Sequence, residues 1–394
     1  MTDLPLSGIR VLDLATILAA PLTCALLAEF GAEVVKIEHP ETGDATRRYP
    51  PLVDGESPGW QQLGRRKKSI GIDLHDAEGA HLVKQLARDA DIVVTNFRPP
   101  TLARFGLDFD DLRAVNDRLV VVHLTAYGRT GPYRDRPGFA RVVEAFAGLT
   151  HRTGEPGGPP MFSGYAIADG VAGMYGAYAA MLALRQRDAS GDAQLVDLAL
   201  YEPVLRMMED FIPVYGATGT VATRVGNDNP AICPNGIFPT ADSKWVVLPA
   251  STNQMWRRLL AVMDRDDLSR FDTMEVRVAN RALIDGAVAE FTSQHSLDAL
   301  LDSLHGAGIA AGPVNTAAEL VDDPHICARG SIRRVEDRAG SQALILAPAG
   351  RFSGFEFDDG TPAPAIGQDT DDILAELGLT PAQVGALRDR GVVN

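Results

Sequence analysis

Asp169 is the residue of this chain whose type and surroundings best suit chemistry. It is the only formally charged side chain between Glu155 and Arg185, in a stretch that consists largely of apolar residues, glycines and alanines. Removing a carboxylate from water is unfavourable unless it accepts hydrogen bonds, faces a cleft or reacts. The pattern therefore indicates a reactive carboxylate. The alternative is a helix cap or a buried acid whose hydrogen bonds are satisfied.

Two further groups of residues are suited to an anionic ligand. The run RRKK at 65–68 places adjacent cations just before an apolar segment, and such cations bind phosphates, although solvated surface charge is the alternative. Asn96, Phe97 and Arg98 directly follow the strand-like DIVVT, and Arg104 lies about one to two helical turns further on. An aromatic ring beside guanidinium groups suits an adenine ring that carries phosphates.

These residues are positioned by alternating strand-like and helix-like segments in the first half of the chain. The pattern predicts strands at 9–14, 33–38, 69–74, 91–95, 119–125 and 194–200, and helices at 21–30, 77–88 and about 167–187. This alternation predicts an α/β fold, a parallel sheet with helices on both faces, and ligands bind such sheets at the carboxyl ends of the strands. The G-x-G-x-x-G and Walker motifs of nucleotide-binding folds are missing.

A change in composition predicts a domain boundary. Residues 216–234 are rich in Gly, Asn and Pro, and a smaller α+β unit follows them. We expect a large domain at 1–215, a small domain with its linkers at 216–329, and a C-terminal part at 330–394.

Charge and composition exclude several function classes. The net charge of −15 and the isoelectric point near 5.0 argue against a nucleic-acid or anionic-membrane binder. Three scattered cysteines and the spacing of the histidines predict no disulfide framework and no metal site. The N-terminus lacks the features of a signal peptide, and the uncharged run at 170–184 is too short to span a bilayer, so we expect a cytoplasmic protein.

Several strings, in the same order along the chain, together resemble one family. They are VLDLATILAAP, GAEVVKIEHPETGDATR, NFRPPTLARFGLDFDDL, YGRTGPYRDRPGF, LTHRTGEPGGPPMFSG, AIADGVAGMYGAYAAMLALRQR, QLVDLALYEPV, GIAAGPVNTAAELVDDPH and GQDTDDILAELGL. They look like the class III CoA-transferases, the formyl-CoA transferase and carnitine CoA-transferase superfamily. The similarity extends from near residue 7 to the C-terminus.

This resemblance implies an unusual fold and assembly. Members of the family form homodimers in which two chains interlock like links of a chain. Each chain has a large Rossmann-like domain, built from its N- and C-terminal parts, and a smaller domain. The segment at 330–394 is therefore expected to return to the large domain.

The resemblance also implies a mechanism in which Asp169 is the nucleophile. Its carboxylate would attack an acyl-CoA thioester, and an acyl-aspartyl anhydride and then an aspartyl-CoA thioester would follow before CoA passes to the acceptor acid. The thioester is a substrate, and no metal or further cofactor is implied. By matching position, the coenzyme A site would consist of Thr16, Ile17, Leu18, His39, Lys67 or Lys68, Asn96, Phe97, Arg98 and Arg104.

Departures from the family pattern bear on the substrates and on rival functions. Where many members have an acid after PGY, this chain has Ala140. The string GFARVVEAF resembles the branch of the family that handles dicarboxylates, for example by moving CoA from succinyl-CoA to malate, citramalate, mesaconate or itaconate. Arg141 would then pair with a distal carboxylate, or is an ordinary surface arginine. LPASTNQMW stands where formyl-CoA transferases have a glycine-rich loop.

Rival functions remain open from the sequence. An α-methylacyl-CoA racemase needs a histidine near Phe139, and a phenyl ring cannot carry a proton. A catalytically silent CoA-binding protein is a second alternative. A dinucleotide-dependent oxidoreductase lacks its glycine fingerprint.

Overall fold

The computed structural model describes residues 4–394, and they form two compact units. The first unit comprises residues up to Leu149, then Ser163–Thr218 and Cys327–Asn394. The second comprises Thr150–Phe162 and Gly219–Ile326.

The first unit is built on a six-stranded parallel sheet with the order β3-β2-β1-β4-β5-β6. The strands are β1 (Arg10–Leu14), β2 (Glu33–Glu38), β3 (Lys67–Gly71), β4 (Ile92–Thr95), β5 (Val120–Thr125) and β6 (Gln194–Ala199). The α/β expectation is therefore confirmed. This strand order reverses direction between β1 and β4, and ligands of such sheets bind at the crevice where the order reverses.

Helices cover both faces of this sheet. In chain order, the helices between residues 19 and 218 are α1 (Ala19–Glu29), α2 (Pro58–Leu63), α3 (Ala77–Arg88), α4 (Pro99–Phe105), α5 (Phe109–Arg113), α6 (Ala140–Phe146), α7 (Leu149–Arg152), α8 (Ile167–Ser190), α9 (Tyr201–Met207) and α10 (Phe211–Thr218), and all but α7, which lies mostly in the second unit, belong to the first. A 3-10 turn spans Ala45–Arg48. Apolar residues of α1 and α8 share one core with the sheet, and those of α3 share another.

The second unit has a three-stranded sheet with the order β7-β8-β9 and its own core. Its elements are β7 (Asn235–Pro239), β8 (Trp245–Pro249), α11 (Asn253–Met263), a 3-10 turn (Asp266–Leu268), α12 (Met274–Ala279), α13 (Arg281–Thr292), α14 (Leu297–Gly306), β9 (Gly312–Pro313) and α15 (Ala317–Asp322). The helix α16 (Pro324–Arg329) follows.

The C-terminal segment belongs to the first unit. It contributes a hairpin of β10 (Ile332–Glu336) and β11 (Gln342–Leu346), then α17 (Thr370–Glu376) and α18 (Pro381–Asp389). Buried side chains of α17 and α18, such as Leu374 and Leu387, share the core of α3. The chain therefore leaves this unit and returns to it.

Several boundaries differ from those expected from the sequence, since the first unit extends to Thr218 and resumes at Cys327. Residues 150–162 group with the second unit and not with the large domain, because main chain and side chains tie them to 219–226: Arg224 donates to the carbonyl oxygens of His151 and Gly158, and Gly226 N–H donates to Gly154 O. The third strand begins at Lys67, two residues earlier than predicted, because Lys67 already pairs with Val34 of β2 in the parallel ladder.

The long helix α8 packs its small-residue face against α1. A Cβ added at Gly173 would lie 2.8 Å from the carbonyl oxygen of Ala19, and one at Gly176 would lie 2.4 Å from Thr23 Oγ1. The helix α8 has 24 residues, and an 18-residue window in it has a mean hydropathy of 1.3, so by length and composition alone it could cross a bilayer, which the 15-residue uncharged run did not suggest. Its packing within the first unit gives that composition a structural reason.

Candidate active site

Asp169 lies in the first turn of α8 and is half-buried. Within residues 4–394, neither oxygen of its carboxylate takes part in a hydrogen bond or ion pair. The neighbouring Ala168 N–H donates to Oε1 of Glu144 at 3.2 Å, and Glu144, on α6, is buried. Glu144, and not Asp169, therefore accepts the hydrogen bond of this amide at the start of the helix.

The environment raises the pKa of Asp169 to about 6, through burial first and the negative charge of Glu144 second. A carboxylate with a pKa near neutrality is ionised at cellular pH, yet it is more basic than an ordinary aspartate. Perturbed acids of this kind cluster at functional sites, where they serve as nucleophiles or bases.

A tight turn after β1 faces the same region. Ile17 has a φ of 73°, which β-branched residues rarely adopt. Asn96, after β4, accepts from Thr16 N–H at 2.9 Å and donates to Thr16 O at 2.7 Å. Asp44 accepts from Ile17 N–H at 3.2 Å. The loops that follow β1 and β4 are thereby joined at the point where the strand order reverses.

A cavity of about 390 Å³ opens between these loops and Asp169. Its lining includes residues 16–19, residues 96–98, Arg134, Arg136, Phe139 and Asp169. Of the predicted site residues, Thr16, Ile17, Leu18, Asn96, Phe97, Arg98 and Asp169 thus meet around one space. This cavity combines an unpaired carboxylate with guanidinium groups and apolar side chains.

A second cavity of about 180 Å³ lies beside the first, because Thr16 and Phe97 line both. His39 lines this second cavity together with His75 and Phe105. The Phe105 ring packs edge-on against Phe97, with centroids 6.1 Å apart, and against His75 at 5.2 Å. The second cavity is therefore an aromatic recess.

The carbonyl oxygen of Phe97 is hydrogen-bonded to a buried histidine. His123 Nε2 lies 2.7 Å from Phe97 O, and His123 Nδ1 lies 2.7 Å from Nη1 of Arg129. Since a guanidinium can only donate, Nδ1 must accept and Nε2 must carry the proton. Burial lowers the pKa of His123, which favours this neutral form. Asp108 pairs with Arg129 at 2.8 Å.

The two lysines expected at the coenzyme A site line neither cavity, because both side chains are engaged elsewhere. Lys67 is buried, with Nζ 2.8 Å from Asp13 Oδ2 and 2.9 Å from Pro21 O. Lys68 Nζ pairs with Glu33 at 2.6 Å. Both lie in β3, where the charges of a strand pair with neighbouring elements, and neither lines the two cavities.

Two predicted arginines are exposed and outside the lining of the cavities. Arg104 is exposed in the last turn of α4, with its guanidinium 5.4 Å from the centroid of the Phe105 ring. Arg141 is exposed and donates to Ser163 O at 3.1 Å. Neither belongs to the lining of either cavity.

Sequence reasoning missed Arg134 and Arg136, which line the larger cavity. The guanidinium of Arg136 lies 3.7 Å from the centroid of the Tyr133 ring, so stacking fixes its orientation. The motif YRDRPGF contained the signal, since its two alternating arginines precede Phe139, which also lines the cavity.

Within residues 4–394, no group of three or more His, Cys, Asp or Glu side chains is arranged to hold a metal ion.

Comparisons with known proteins match this chain to one family over nearly its whole length. Residues 6–370 match the model of CoA-transferase family III. The chain is 39% identical to a succinyl-CoA–D-citramalate CoA-transferase of Chloroflexus aurantiacus, over 99% of this chain and 98% of that protein. It is 37% identical to the beta subunit of a succinyl-CoA–L-malate CoA-transferase of the same organism, over 100% and 99%.

A solved structure is similar over nearly the same range. It is a CaiB/BaiF family protein from Brucella suis, which superposes with a TM-score of 0.87 at 33% identity and covers 95% of this chain and 100% of that one. The agreement includes the parallel sheet that carries the cavities.

Proposed function

This chain belongs to CoA-transferase family III, and we propose that it moves coenzyme A from an acyl-CoA to a carboxylic acid with Asp169 as the nucleophile. The single observation that carries this role is the unpaired, half-buried Asp169 carboxylate in the wall of a cavity at the reversal of the strand order.

The reaction proceeds in four exchanges at the Asp169 carboxyl. The carboxylate attacks the thioester carbonyl and expels CoA thiolate, which leaves an acyl-aspartyl anhydride. The thiolate attacks the aspartyl carbonyl and releases the donor acid, which leaves an aspartyl-CoA thioester. The acceptor carboxylate then attacks this thioester and expels CoA thiolate, which leaves an anhydride between the acceptor and Asp169. The thiolate finally attacks the acceptor carbonyl of that anhydride, which yields the acceptor-CoA thioester and regenerates the Asp169 carboxylate. Each covalent intermediate retains the energy of the thioester.

The two cavities divide the coenzyme between them. The aromatic recess with His39, Phe97 and Phe105 suits the adenine ring, and the larger cavity suits the thioester end. Thr16 and Phe97, which line both cavities, form the wall common to both ends of the ligand. Arg104 stays in this proposal at the exposed rim, whereas Lys67 and Lys68 have no part in it.

The substrates that we propose are dicarboxylates, with succinyl-CoA as donor. The two Chloroflexus relatives are named for succinyl-CoA with citramalate and with malate. In this chain, Arg98, Arg134 and Arg136 supply positive charge to the cavity that holds Asp169. A distal carboxylate would pair with one of these guanidinium groups and not with Arg141. No cofactor besides the coenzyme A substrate is required.

The proposed assembly is an interlocked homodimer. On α8, opposite the glycine face, Met174, Tyr178 and Leu182 are exposed at 62%, 56% and 52% and lie four residues apart, so they form one apolar stripe. A second copy of the chain is the proposed cover. Since one relative is named as a beta subunit, a related chain is the competing partner. Light scattering on the purified protein distinguishes monomer from dimer.

We propose a cytoplasmic location as well. Cys24, Cys233 and Cys327 are free thiols, as is usual in a reducing compartment. Cell fractionation with an antibody tests this location, and recovery of the protein in an extracellular or membrane fraction would contradict it.

A matrix of donors and acceptors tests the activity. Purified protein is mixed with each of several acyl-CoAs and carboxylic acids, and mass spectrometry identifies the new CoA esters. We expect succinyl-CoA to exchange with dicarboxylates. Exchange with monocarboxylates alone would refute the substrate proposal.

A second measurement tests the nucleophile. Hydroxylamine added to the protein with succinyl-CoA should form a hydroxamate at Asp169, which peptide mass spectrometry locates. Asp169→Asn should lower exchange by roughly 1,000-fold or more. Asp188→Asn, a matched change near the exposed end of the same helix, should keep the full rate. Undiminished exchange by Asp169→Asn would refute the mechanism.

A further inference from the structure

Ile17 has an unusual backbone conformation for its residue type. The non-glycine residues with positive φ among residues 4–394 are Ile17, Asp54, Arg66, Ser243 and Asp264, and Ile17 is the only β-branched one of them. A β-branched side chain is strongly disfavoured at positive φ, so surrounding contacts must impose this conformation. Such strain is often found at functional sites, and residue 17 lies in the wall of the larger cavity.

The contact that acts on Ile17 itself comes from Asp44. Its Oδ1 atom accepts from Ile17 N–H at 3.2 Å, and also from the amide and the hydroxyl of Thr46 at 2.9 and 2.8 Å. Asp44 has 1% of its surface exposed. A buried carboxylate with several donors to one oxygen has little freedom to move, so it can hold the Ile17 amide in place.

Lys36 forms a buried ion pair with Asp44. Its Nζ atom is fully buried, 2.9 Å from Asp44 Oδ2 and 3.4 Å from Asp13 Oδ1. It also donates to the carbonyl oxygen of Ala15, the residue that precedes the turn. One buried ammonium group therefore links the end of β1 to the carboxylate that holds Ile17.

Packing between α1 and α8 also links the turn at 16–18 to Asp169. It leads directly into α1, and the carbonyl oxygen of Ala19, the first residue of that helix, lies where a Cβ of Gly173 would be. Gly173 is one helical turn after Asp169 on α8. A shift of the turn would therefore change its position relative to the Asp169 carboxyl group.

We propose that Asp44 is a positioning residue for the transferase reaction: with Lys36 it holds Ile17 in the left-handed conformation and so fixes the turn at 16–18 against Asp169. This inference rests on the proposed function. Asp44 also borders the second cavity, but with only 1% of its surface exposed it acts through Ile17.

A double-mutant cycle between positions 44 and 17 tests the proposal. Glycine adopts positive φ as readily as negative φ, so Ile17→Gly removes the strain that Asp44 has to overcome. Asp44→Ala alone should lower kcat by roughly 10- to 100-fold, because the released strain favours other conformations of the turn. In the Ile17→Gly background the same change should lower kcat by only about 2- to 5-fold. The two effects should therefore be strongly coupled.

A second glycine substitution provides the matched control. Ser243 also has positive φ, but it lies in the β7–β8 hairpin of the second unit. Ser243→Gly relieves local strain there and should not restore kcat to Asp44→Ala. Restoration by Ser243→Gly would show a general effect on stability and would overturn the proposal.

Other outcomes separate this inference from the proposed function. If the unsubstituted protein exchanges no acyl-CoA, the proposed function fails. If it exchanges, and Asp44→Ala loses the same factor in both backgrounds, only the role of Asp44 fails. Circular dichroism shows whether Asp44→Ala folds. If it does not, Asp44→Asn takes its place, and a loss of kcat that Ile17→Gly does not reduce overturns the proposal.

Discussion

At the residue scale, the site depends on two carboxylates whose environments differ. Glu144 is buried and accepts the amide of Ala168, whereas Asp169 faces the cavity without a partner among residues 4–394. Both lie near the start of α8, and the charge of Glu144 helps to raise the pKa of Asp169 to about 6 after the larger effect of burial. One acid of the pair is therefore held in a structural hydrogen bond, and the other stays available for the proposed chemistry.

The rate should fall in acid as Asp169 takes up a proton. Attack on the thioester needs the ionised carboxylate, so kcat is full above the raised pKa and is lost as the pH falls through about 6. Glu144→Gln keeps an oxygen for the Ala168 amide but removes the negative charge, and the acidic limb of the profile should move to lower pH. The profile is measured by single-turnover formation of the enzyme intermediate.

A second variant controls for general effects of acid. Glu202→Gln removes a carboxylate that accepts the Ala199 amide at 3.0 Å, as Glu144 does for Ala168, but Glu202 is not among the causes of the raised pKa of Asp169. Its acidic limb should stay where it is in the unsubstituted protein. An unchanged limb in Glu144→Gln would contradict the electrostatic role of Glu144.

Lys67 and Lys68, adjacent in sequence, should respond differently to substitution. Lys67→Met leaves the buried Asp13 with Lys36 as its one remaining cationic partner. Removing one member of a buried ion pair lowers the free energy of unfolding by about 3 kcal/mol. Lys68→Met removes a half-exposed pair with Glu33 and should change stability little. Denaturant unfolding measures both. A raised KM for acyl-CoA in Lys68→Met, with unchanged stability, would return that lysine to the binding site.

At the scale of elements, the position of Asp169 depends on the close contact of α8 with α1. Gly173→Ala places a Cβ 2.8 Å from a main-chain oxygen, which cannot move without displacing α1. We expect a loss of roughly 1–3 kcal/mol and a lower thermal midpoint, together with a reduced kcat, since Asp169 lies one turn away.

A glycine in another helix serves as the control for that prediction. Gly286, in α13, has open space where its Cβ would be. Gly286→Ala should raise stability by about 0.5–1 kcal/mol, because alanine favours the helix. If Gly173→Ala were equally stabilising, the close contact between α1 and α8 would be wrong.

The elements explain why the sequence predicted part of the site and not the rest. Period and composition predicted the strands whose carboxyl ends carry residues 16–18 and 96–98, so these loops could be expected to meet. The lysines of β3 could not be judged from local pattern, because Asp13, the partner of Lys67, is distant in sequence. Arg134 and Arg136 lie in a loop without regular structure, so periodicity carried no information about them.

At the scale of the whole molecule, α8 presents two faces with different roles. Its glycine face is covered by α1, and its stripe of Met174, Tyr178 and Leu182 is exposed in the single chain. Large apolar side chains exposed along one helix face indicate a surface that another chain covers. The helix whose first turn carries the proposed nucleophile therefore extends into the surface proposed for the partner.

Leu182→Glu tests that surface. A charge introduced into an apolar interface loses its hydration without gaining a partner, so the dimer should dissociate into monomers at micromolar concentration. Light scattering measures the mass, and exchange is assayed on the same sample. Ala386→Glu, on the exposed side of α18, introduces the same charge outside the stripe and should remain dimeric. A Leu182→Glu protein that keeps the mass of a dimer would show that a different surface holds the two chains together.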